Sequence, residues 1–235
     1  MQKRMHRFTL VEMLTVIAII SILAGLIIPV VVIAQERGRE TQAKSDIAAL
    51  MSALKQVETD YGRILKKDGS DYKMGDKTLS ASDEEVGSGN DAIKTKKITF
   101  EADNNGGCDE YDALICELSA PKNKGITVSV NKRKKMYLEP KKGFDPAKDY
   151  DADDAQKATL WRDPWGNPYK IFINVAGNGA LKITNDKSIA TDIAIYSFGP
   201  NGTDDKGCNV ALDTCITGSG AADHKLHDDI ASWDL

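Results

Sequence analysis

The chain has 235 residues, of which 41% are hydrophobic and 28% are charged, and its formal net charge at pH 7 is −4. This length is enough for a long helix and one globular domain with its own core, and it leaves little room for a second full domain. The negative net charge gives no overall attraction to nucleic acid, so a nucleic-acid partner is not expected.

The start of the chain combines a basic head with an almost purely apolar segment. Three cations lie among the first seven residues, and Glu12 is the sole ionisable side chain between Phe8 and Ala34. From Met13 to Ala34 the 22 residues carry no charge, and a helix of that length spans roughly 33 Å, enough to cross a bilayer. The basic head predicts a cytoplasmic N-terminus, with the chain after Ala34 outside the cytoplasm.

Glu12 places a carboxylate inside this apolar segment, and its presence there requires an explanation. An ionised group in hydrocarbon costs roughly 2.5 to 3.5 kcal/mol on insertion scales, so a simple signal anchor does not account for Glu12. A cleaved secretory signal does not fit either, because its apolar core is about 7 to 15 residues long and is followed by a small-x-small site. The segment therefore predicts a membrane helix with an additional function.

The apolar run continues into an amphipathic segment, so we expect one helix from about Phe8 to Tyr61. Gly62 is placed to end it, because glycine adopts the left-handed conformation at low cost. Pro29 and Gly25 are expected to bend or loosen the membrane half. Six apolar residues recur at three- and four-residue spacing along the second half and predict one buried face: Ile47, Leu50, Met51, Leu54, Val57 and Tyr61.

The sequence Phe8-Thr9-Leu10-Val11-Glu12 before an apolar helix resembles the class III signal of type IV prepilins and type II secretion pseudopilins. The resemblance implies that a prepilin peptidase cleaves the Arg7–Phe8 bond and methylates the new amine. It also implies that Glu12 pairs with the N-terminus of a neighbouring subunit during filament assembly. Residues 1–7 would then be a basic leader peptide, 8–34 the transmembrane and polymerisation helix, and 35–62 its soluble half.

One position departs from the family pattern. Pilin-like precursors carry Gly immediately before the cut, and this chain carries Arg7 there. A bulky cation at that position disfavours cleavage, and an uncleaved chain would stay in the membrane as an unassembled anchor.

Four cysteines lie in the part predicted to be outside the cytoplasm, where disulfides persist. Their spacing favours two local pairs, Cys108 with Cys116 and Cys208 with Cys215, among three possible connectivities. A zinc site is the competing interpretation, but the spacings are not C-x-x-C and the three histidines are poorly placed to complete one.

Residues 63–162 are predicted to form an insertion in the globular domain. Residues from about 65 to 97 are polar and glycine-rich, which predicts an irregular surface loop. Asp109–Leu118 predicts a short helix and Ile126–Val130 a strand. The basic cluster from Asn131 to Tyr137 is interpreted as a solvated face rather than a contact for phosphate or an acidic partner.

Residues 163–235 read as a small antiparallel sheet. Asp163-Pro164-Trp165-Gly166 has the composition of a type I turn. Strands are predicted over Tyr169–Val175, Ala180–Thr184 and Ile193–Phe198, with the first two joined by a turn at 176–179. Packing of this sheet on the amphipathic helix face gives an α+β fold.

Three motifs in this region resemble the major pseudopilin of type II secretion. They are Asp163-Pro164-Trp165-Gly166-Asn167-Pro168-Tyr169, Tyr196-Ser197-Phe198-Gly199-Pro200-Asn201-Gly202, and Asp228-Asp229-Ile230 with Trp233. The resemblance covers roughly Arg162 to Leu235 and implies a type IV pilin-like fold, with a long N-terminal helix packed on a small antiparallel sheet and a large middle insertion.

The segment from Gly199 to Asp229 is rich in oxygen ligands and suits calcium, which takes six to eight oxygens in flexible geometry. The resemblance implies a ligand set of the Phe198 carbonyl with Asn201, Asp228 and Asp229. Asn201 stands where the family has Asp, which removes one negative charge and predicts lower affinity. The alternative is a solvated acidic loop held by a disulfide alone.

No catalytic triad, Cys/His pair, phosphate loop or HExxH stretch occurs in the sequence, so an enzyme is not expected. The resemblance implies a structural subunit of a type II secretion or type IV pilus-like filament, a homo-oligomer served by prepilin peptidase, an inner-membrane assembly platform and minor pilins. It would be a single-pass inner-membrane protein with a periplasmic domain before assembly. The alternative is a minor pilin that binds DNA, a secreted substrate or a host surface.

Overall fold

The computed structural model describes residues 10–74, 77–86, 92–100, 110–119, 129–139, 161–183, 188–202 and 229–232. The chain divides into two compact units, Met1–Thr41 and Gln42–Leu235. In chain order the elements are α1 (Leu10–Tyr61), β1 (Lys66–Asp68), β2 (Asp71–Met74), β3 (Lys77–Leu79), β4 (Ser82–Val86), β5 (Ile93–Phe100), α2 (Glu110–Ser119), β6 (Tyr169–Asn174), β7 (Leu181–Lys182), β8 (Ser188–Ile189), β9 (Ile193–Ser197) and β10 (Ile230–Ala231).

The long helix α1 has 52 residues and ends where the sequence predicts. Gly62 follows it with φ of +68°, a conformation that costs glycine little. The amide of Gly62 donates to the carbonyl oxygen of Glu58 at 2.7 Å, which satisfies one of the unpaired carbonyls of the last turn. The predicted glycine cap is confirmed.

The first unit contains the apolar part of α1. This part is long and apolar enough to cross a membrane, by length and composition. None of its most apolar window is buried within the chain.

The second unit is built on a five-stranded sheet in the order β10-β9-β6-β5-β4, and every neighbouring pair is antiparallel. In the central pair, Ile171 of β6 faces Ile195 of β9, and on the other side Phe172 faces Thr99 of β5. The described part of the chain also contains two smaller sheets, β1-β2-β3 and β7-β8.

The core of this unit forms where the second half of α1 meets the sheet. Ile47, Leu50 and Leu54 of α1 are fully buried, in one cluster with Ile171 and Ile195 of the sheet. Met51 and Tyr61 are partly buried against the same cluster. The predicted amphipathic face and its packing on an antiparallel sheet are confirmed, and the architecture is α+β.

The prediction of an irregular loop over 65–97 is wrong, because this segment contains β1 to β4 and the start of β5. Asp68 and Asp71 are paired across a tight turn, and Gly69 has φ of +66° there. Tyr72, Met74 and Leu79 are buried at alternate positions of the hairpin. These strands have three or four residues each, which is too short for the alternation of buried and polar side chains to stand out in a mostly polar segment.

The same region supplies β4 and β5 to the main sheet, so the sheet is larger than the three strands predicted after Asp163. The short helix predicted over Asp109–Leu118 is confirmed as α2. Of the strand predicted over Ile126–Val130, the first three residues lie outside the described residues, and Ser129 and Val130 are not in a strand.

The predicted pairing of Ala180–Thr184 with β6 is wrong. Among the described residues 180–183 of that segment, Leu181 and Lys182 are in a strand, and they pair with β8. Both edges of β6 are already occupied, by β5 on one side and β9 on the other. A neighbour in sequence therefore has no free edge to pair with.

Candidate functional site

Glu12 lies in the first turn of α1, where a carboxylate is favoured by the positive end of the helix dipole. The hydroxyl of Thr15 donates to the main-chain oxygen of Glu12 at 3.0 Å. Glu12 is exposed in the single chain. The predicted cleavage residues Arg7 and Phe8 lie outside the described residues.

The helix around Glu12 presents a large apolar surface. Leu10 is 80% exposed and Leu26 is 67% exposed, and large apolar side chains remain exposed as far as Ile33. An exposed apolar surface of this size is typical of a segment that contacts lipid or another protein. This surface is where the structure places the residues predicted for membrane insertion and assembly.

A buried polar contact joins the second half of α1 to the sheet. The phenol of Tyr169, the first residue of β6, donates to Oδ2 of Asp46 at 2.8 Å. Gln42 donates to the other carboxylate oxygen at 2.9 Å. Burial, together with the Asp46 carboxylate, raises the pKa of the Tyr169 phenol above its ordinary value of 10.0. Tyr169 therefore stays protonated and acts as the donor.

The turn predicted at Asp163–Gly166 is present, with the Gly166 amide donating to the Asp163 carbonyl at 3.1 Å. The buried Asp163 carboxylate accepts from the amides of Trp165 at 3.1 Å and Asn167 at 2.7 Å. Its second oxygen accepts from the hydroxyl of Ser197 at 2.7 Å. The aspartate thus forms the turn and also attaches it to the end of β9.

A second contact connects the same two motifs. The side-chain amide of Asn167 donates to the carbonyl of Gly199 at 3.1 Å. Gly199 begins a turn that the Gly202 amide closes at 3.3 Å, and Asn201 is exposed at its third position. The polar residues of the two motifs are therefore structural, since they hold two turns against each other.

Three of the four residues expected at the calcium site are described. Phe198 and Asp229 are buried and Asn201 is exposed, while Asp228 lies outside the described residues. Asp229 immediately precedes β10, which pairs with β9. Within the described part of the chain, no group of three or more His, Cys, Asp or Glu side chains could hold a metal ion. A buried carboxylate next to the end of β9 is compatible with the expected ligand set.

The basic cluster lies on a loop that is attached to α2 through one carboxylate. Glu117 is 2% exposed and accepts from three successive amides, those of Ser129 at 2.9 Å, Val130 at 2.7 Å and Asn131 at 2.5 Å. The side-chain amide of Asn131 donates to the main-chain oxygens of Glu117 at 2.9 Å and Lys135 at 2.7 Å. The loop is therefore held in one conformation.

The same loop is attached to the end of α1. Lys135 pairs with Asp60 at 2.7 Å, and the phenol of Tyr137 donates to the same carboxylate oxygen at 2.7 Å. Hydrogen bonds from Lys135 and Tyr137 lower the pKa of Asp60 below its ordinary value of 3.8. Lys132, Arg133 and Lys134 remain exposed. The exposure of these three residues agrees with the solvated-face interpretation, whereas Lys135 and Tyr137 have structural contacts.

Cys116 is buried in α2. Cys108, Cys208 and Cys215 lie outside the described residues, so the two predicted disulfides stay predictions.

Sequence reasoning missed the buried carboxylates of Asp46 and Glu117. Asp46 occupies a position on the apolar face of α1, three residues after Ala43 and four before Leu50, and this placement was the available signal. Glu117 had a weaker signal, because its three amide donors come from a loop more than ten residues away.

The comparisons with known proteins match a limited part of the chain. No family model matches it, and no solved structure matches it. Over 63 residues, or 27% of its length, the chain is 38% identical to the Type II secretion system core protein G of Dickeya chrysanthemi. It spans 41% of the length of that curated relative. The chain is thus similar, over about a quarter of its length, to a core protein of a type II secretion system.

Proposed function

We propose that this protein is a non-enzymatic structural subunit of a type II secretion or type IV pilus-like filament, with a type IV pilin-like fold. The proposal rests on one observation, the division of α1 into two halves. The first half is apolar and exposed, and the second half contributes its buried face to the hydrophobic core of the second unit. The similarity to a secretion-system core protein supports the same assignment.

The exposed apolar half of α1 supports storage in a membrane and later packing against copies of itself. In the bilayer the apolar side chains face lipid, and in a filament they face the corresponding helices of neighbours. A single helix of this kind has no equally apolar surface in the described part of its own chain to cover it. The proposed location is the inner membrane, with the N-terminus in the cytoplasm and the second unit in the periplasm.

Glu12 has a specific role in this proposal. A carboxylate in an apolar environment is tolerated when a cation neutralises it. The free amine of a neighbouring subunit, exposed by cleavage of the Arg7–Phe8 bond, supplies that cation. Glu12 therefore sets the register between helices. Prepilin peptidase, an inner-membrane assembly platform and minor pilins are the proposed partners.

The test compares Glu12→Gln and Glu12→Leu with wild type in cells that overexpress the protein. We expect all three proteins in the membrane fraction, with sheared, pelletable filaments obtained from wild type alone. Glu40→Gln is the matched control, because it removes an exposed carboxylate from the same helix. Normal filament yield from Glu12→Leu would contradict the proposed role of Glu12.

The intact mass of the protein recovered from filaments tests processing separately. A methylated N-terminal Phe8 is the expected product. An uncleaved Met1 start in the filament fraction would contradict the proposed amine partner, because that amine would then be seven residues away from its proposed position.

We further propose calcium as a ligand of the second unit, held by the Phe198 carbonyl, Asn201, Asp228 and Asp229. A bound calcium ion would neutralise the acidic pair and connect the segment before β10 to the end of β9. The burial of Asp229 supports this assignment, because a carboxylate removed from water is stabilised by a cation.

A further inference from the structure

The loop between Ser129 and Leu138 presents three cations in a fixed arrangement. Lys132, Arg133 and Lys134, defined here as the basic turn, are exposed, and the neighbouring Met136 is 59% exposed. Lys134 has φ of +51°, which is uncommon for a residue other than glycine. The Lys134 amide donates to the Asn131 carbonyl at 2.9 Å, which holds the turn in this conformation.

This arrangement is more rigid than a solvated surface requires. The Glu117 carboxylate and the Asn131 side chain fix the backbone on both sides of the turn. Backbone strain that the surrounding structure maintains is typical of functional contacts. Within the described part of the chain, no ion pair engages Lys132, Arg133 or Lys134. The basic turn is therefore available to a partner with negative charge.

The opposite charge lies on an edge of the main sheet. Among the described strands, β4 is the last in the sheet order and pairs with β5 alone. Asp83 and Glu85 lie on one face of β4, with Glu84 on the other. Glu84 is turned inward and pairs with Lys97 at 3.0 Å. Asp83 and Glu85, defined here as the acidic edge, are both exposed.

The acidic edge is incompletely neutralised in a single chain. Asp83 pairs with Lys96 at 3.2 Å, but its side chain is still 80% exposed. Glu85 has no ion pair among the described residues. An exposed pair contributes little and leaves the carboxylate accessible to a second cation.

We infer that the basic turn of one copy of this protein docks on the acidic edge of the next copy. The two patches differ in sequence and in charge, so the contact is heterologous, and a heterologous contact that does not close generates an open helical assembly. The inference rests on the proposed function, because such an assembly is a filament. Opposite charges that meet locally offset the repulsion between copies that each carry a net charge of −4.

The test reverses the charges of each patch separately, and then of both patches together, in the full-length protein. The basic variant is Lys132→Glu with Arg133→Glu and Lys134→Glu, and the acidic variant is Asp83→Lys with Glu85→Lys. We expect each alone to lower the pelletable filament fraction about tenfold, through like-charge repulsion. The combined variant restores the opposite charges in exchanged positions, and we expect its yield to recover to within about twofold of wild type.

Two controls separate this contact from other effects. Lys66→Glu with Lys67→Glu reverses two exposed cations on β1, outside both patches, and is expected to leave filament yield unchanged. Arg133→Glu alone, at an exposed side chain, provides a milder variant, and the thermal unfolding of every variant is compared with wild type. Recovery in the combined variant also excludes simple misfolding as the cause of the single defects.

The outcomes distinguish this inference from the proposed function. The docking contact is wrong if the basic variant forms as many filaments as wild type, or if the combined variant shows no recovery of filament yield. In both cases the filament proposal stands, because wild type still forms filaments. If wild type forms no filaments, both are wrong. Recovery restricted to the combined variant supports the contact.

Discussion

The phenol of Tyr169 donates a hydrogen bond of 2.8 Å to the Asp46 carboxylate, and both residues are buried between α1 and β6. This bond attaches the first strand after the Asp163 turn to the long helix. Tyr169→Phe removes the donor and leaves a buried carboxylate oxygen without it, so we expect a loss of about 1 to 3 kcal/mol in unfolding free energy. Urea denaturation of the full chain in detergent measures it.

Tyr72→Phe is the matched control for that change. Tyr72 is buried in the same core, and in the described part of the chain its phenol has no hydrogen bond. Removal of the Tyr72 hydroxyl should change the unfolding free energy by less than about 0.5 kcal/mol. Equal losses for the two substitutions would show that the Asp46 contact adds no stability.

The carboxylate of Glu117 accepts from three consecutive amides of the loop that carries the basic turn. Glu117→Gln places an NH₂ group where an acceptor is needed, so at least one amide loses its partner. We expect a loss of about 1.5 to 3 kcal/mol and faster hydrogen exchange at residues 129–131. Glu85→Gln, at an exposed position, should change neither quantity, and slow exchange in Glu117→Gln would refute this account of the loop.

The contact of Asp60 with Lys135 and Tyr137 predicts a pH dependence. These hydrogen bonds lower the pKa of Asp60 in the folded state below the ordinary 3.8. The Asp60 carboxyl therefore binds its proton more weakly in the folded state than in the unfolded state. Its contribution to stability is fully present above the pKa of Asp60 in the unfolded state and is lost as the pH falls through the pKa of Asp60 in the folded state.

We expect wild type to melt at a higher temperature than Asp60→Asn at about pH 6, and the two melting temperatures to converge as the pH falls below the ordinary pKa of 3.8. Glu58→Gln, in the same turn of α1 and exposed, serves as the control. If the difference in melting temperature between wild type and Asp60→Asn stays constant across this pH range, the charge of Asp60 is not the cause of that difference.

Calcium binding predicts a ligand-dependent stability. With free calcium at about 100 times its dissociation constant, the folded state gains about 2.7 kcal/mol, and a chelator should reverse the gain. Asp229→Asn should lower calcium affinity, and Asp71→Asn, a change of the same kind on β2, should not. An unchanged melting temperature of wild type with calcium and with chelator would exclude the site.

The parts of the fold that the sequence predicts are those determined by local chemistry. The end of α1 depends on Gly62, and the Asp163 turn depends on residues within four positions of each other. The buried strands β6 and β9 are rich in isoleucine and aromatic residues, and their positions are recognisable for the same reason.

The parts that the sequence does not predict depend on distant partners. β2 and β3 lie against α2 and bury Tyr72, Met74 and Leu79, a surface that the polar hairpin sequence does not reveal. The pairing of β5 with β6 joins residues more than seventy positions apart. In the candidate site, Glu12 was identifiable from its isolation among apolar residues, whereas the roles of Asp46 and Glu117 depend on donors brought close by folding.

The main sheet has a consequence for how the protein can vary. Its strands lie side by side in the order β4, β5, β6, β9, β10, which is also their order along the chain, and all pairs are antiparallel. No connection has to cross another, and doubling the length of a connection costs only about 0.6 kcal/mol in closure entropy. A change in the length of a connection between neighbouring strands therefore leaves the strand register unaltered, so related chains can diverge between strands while they keep the same sheet.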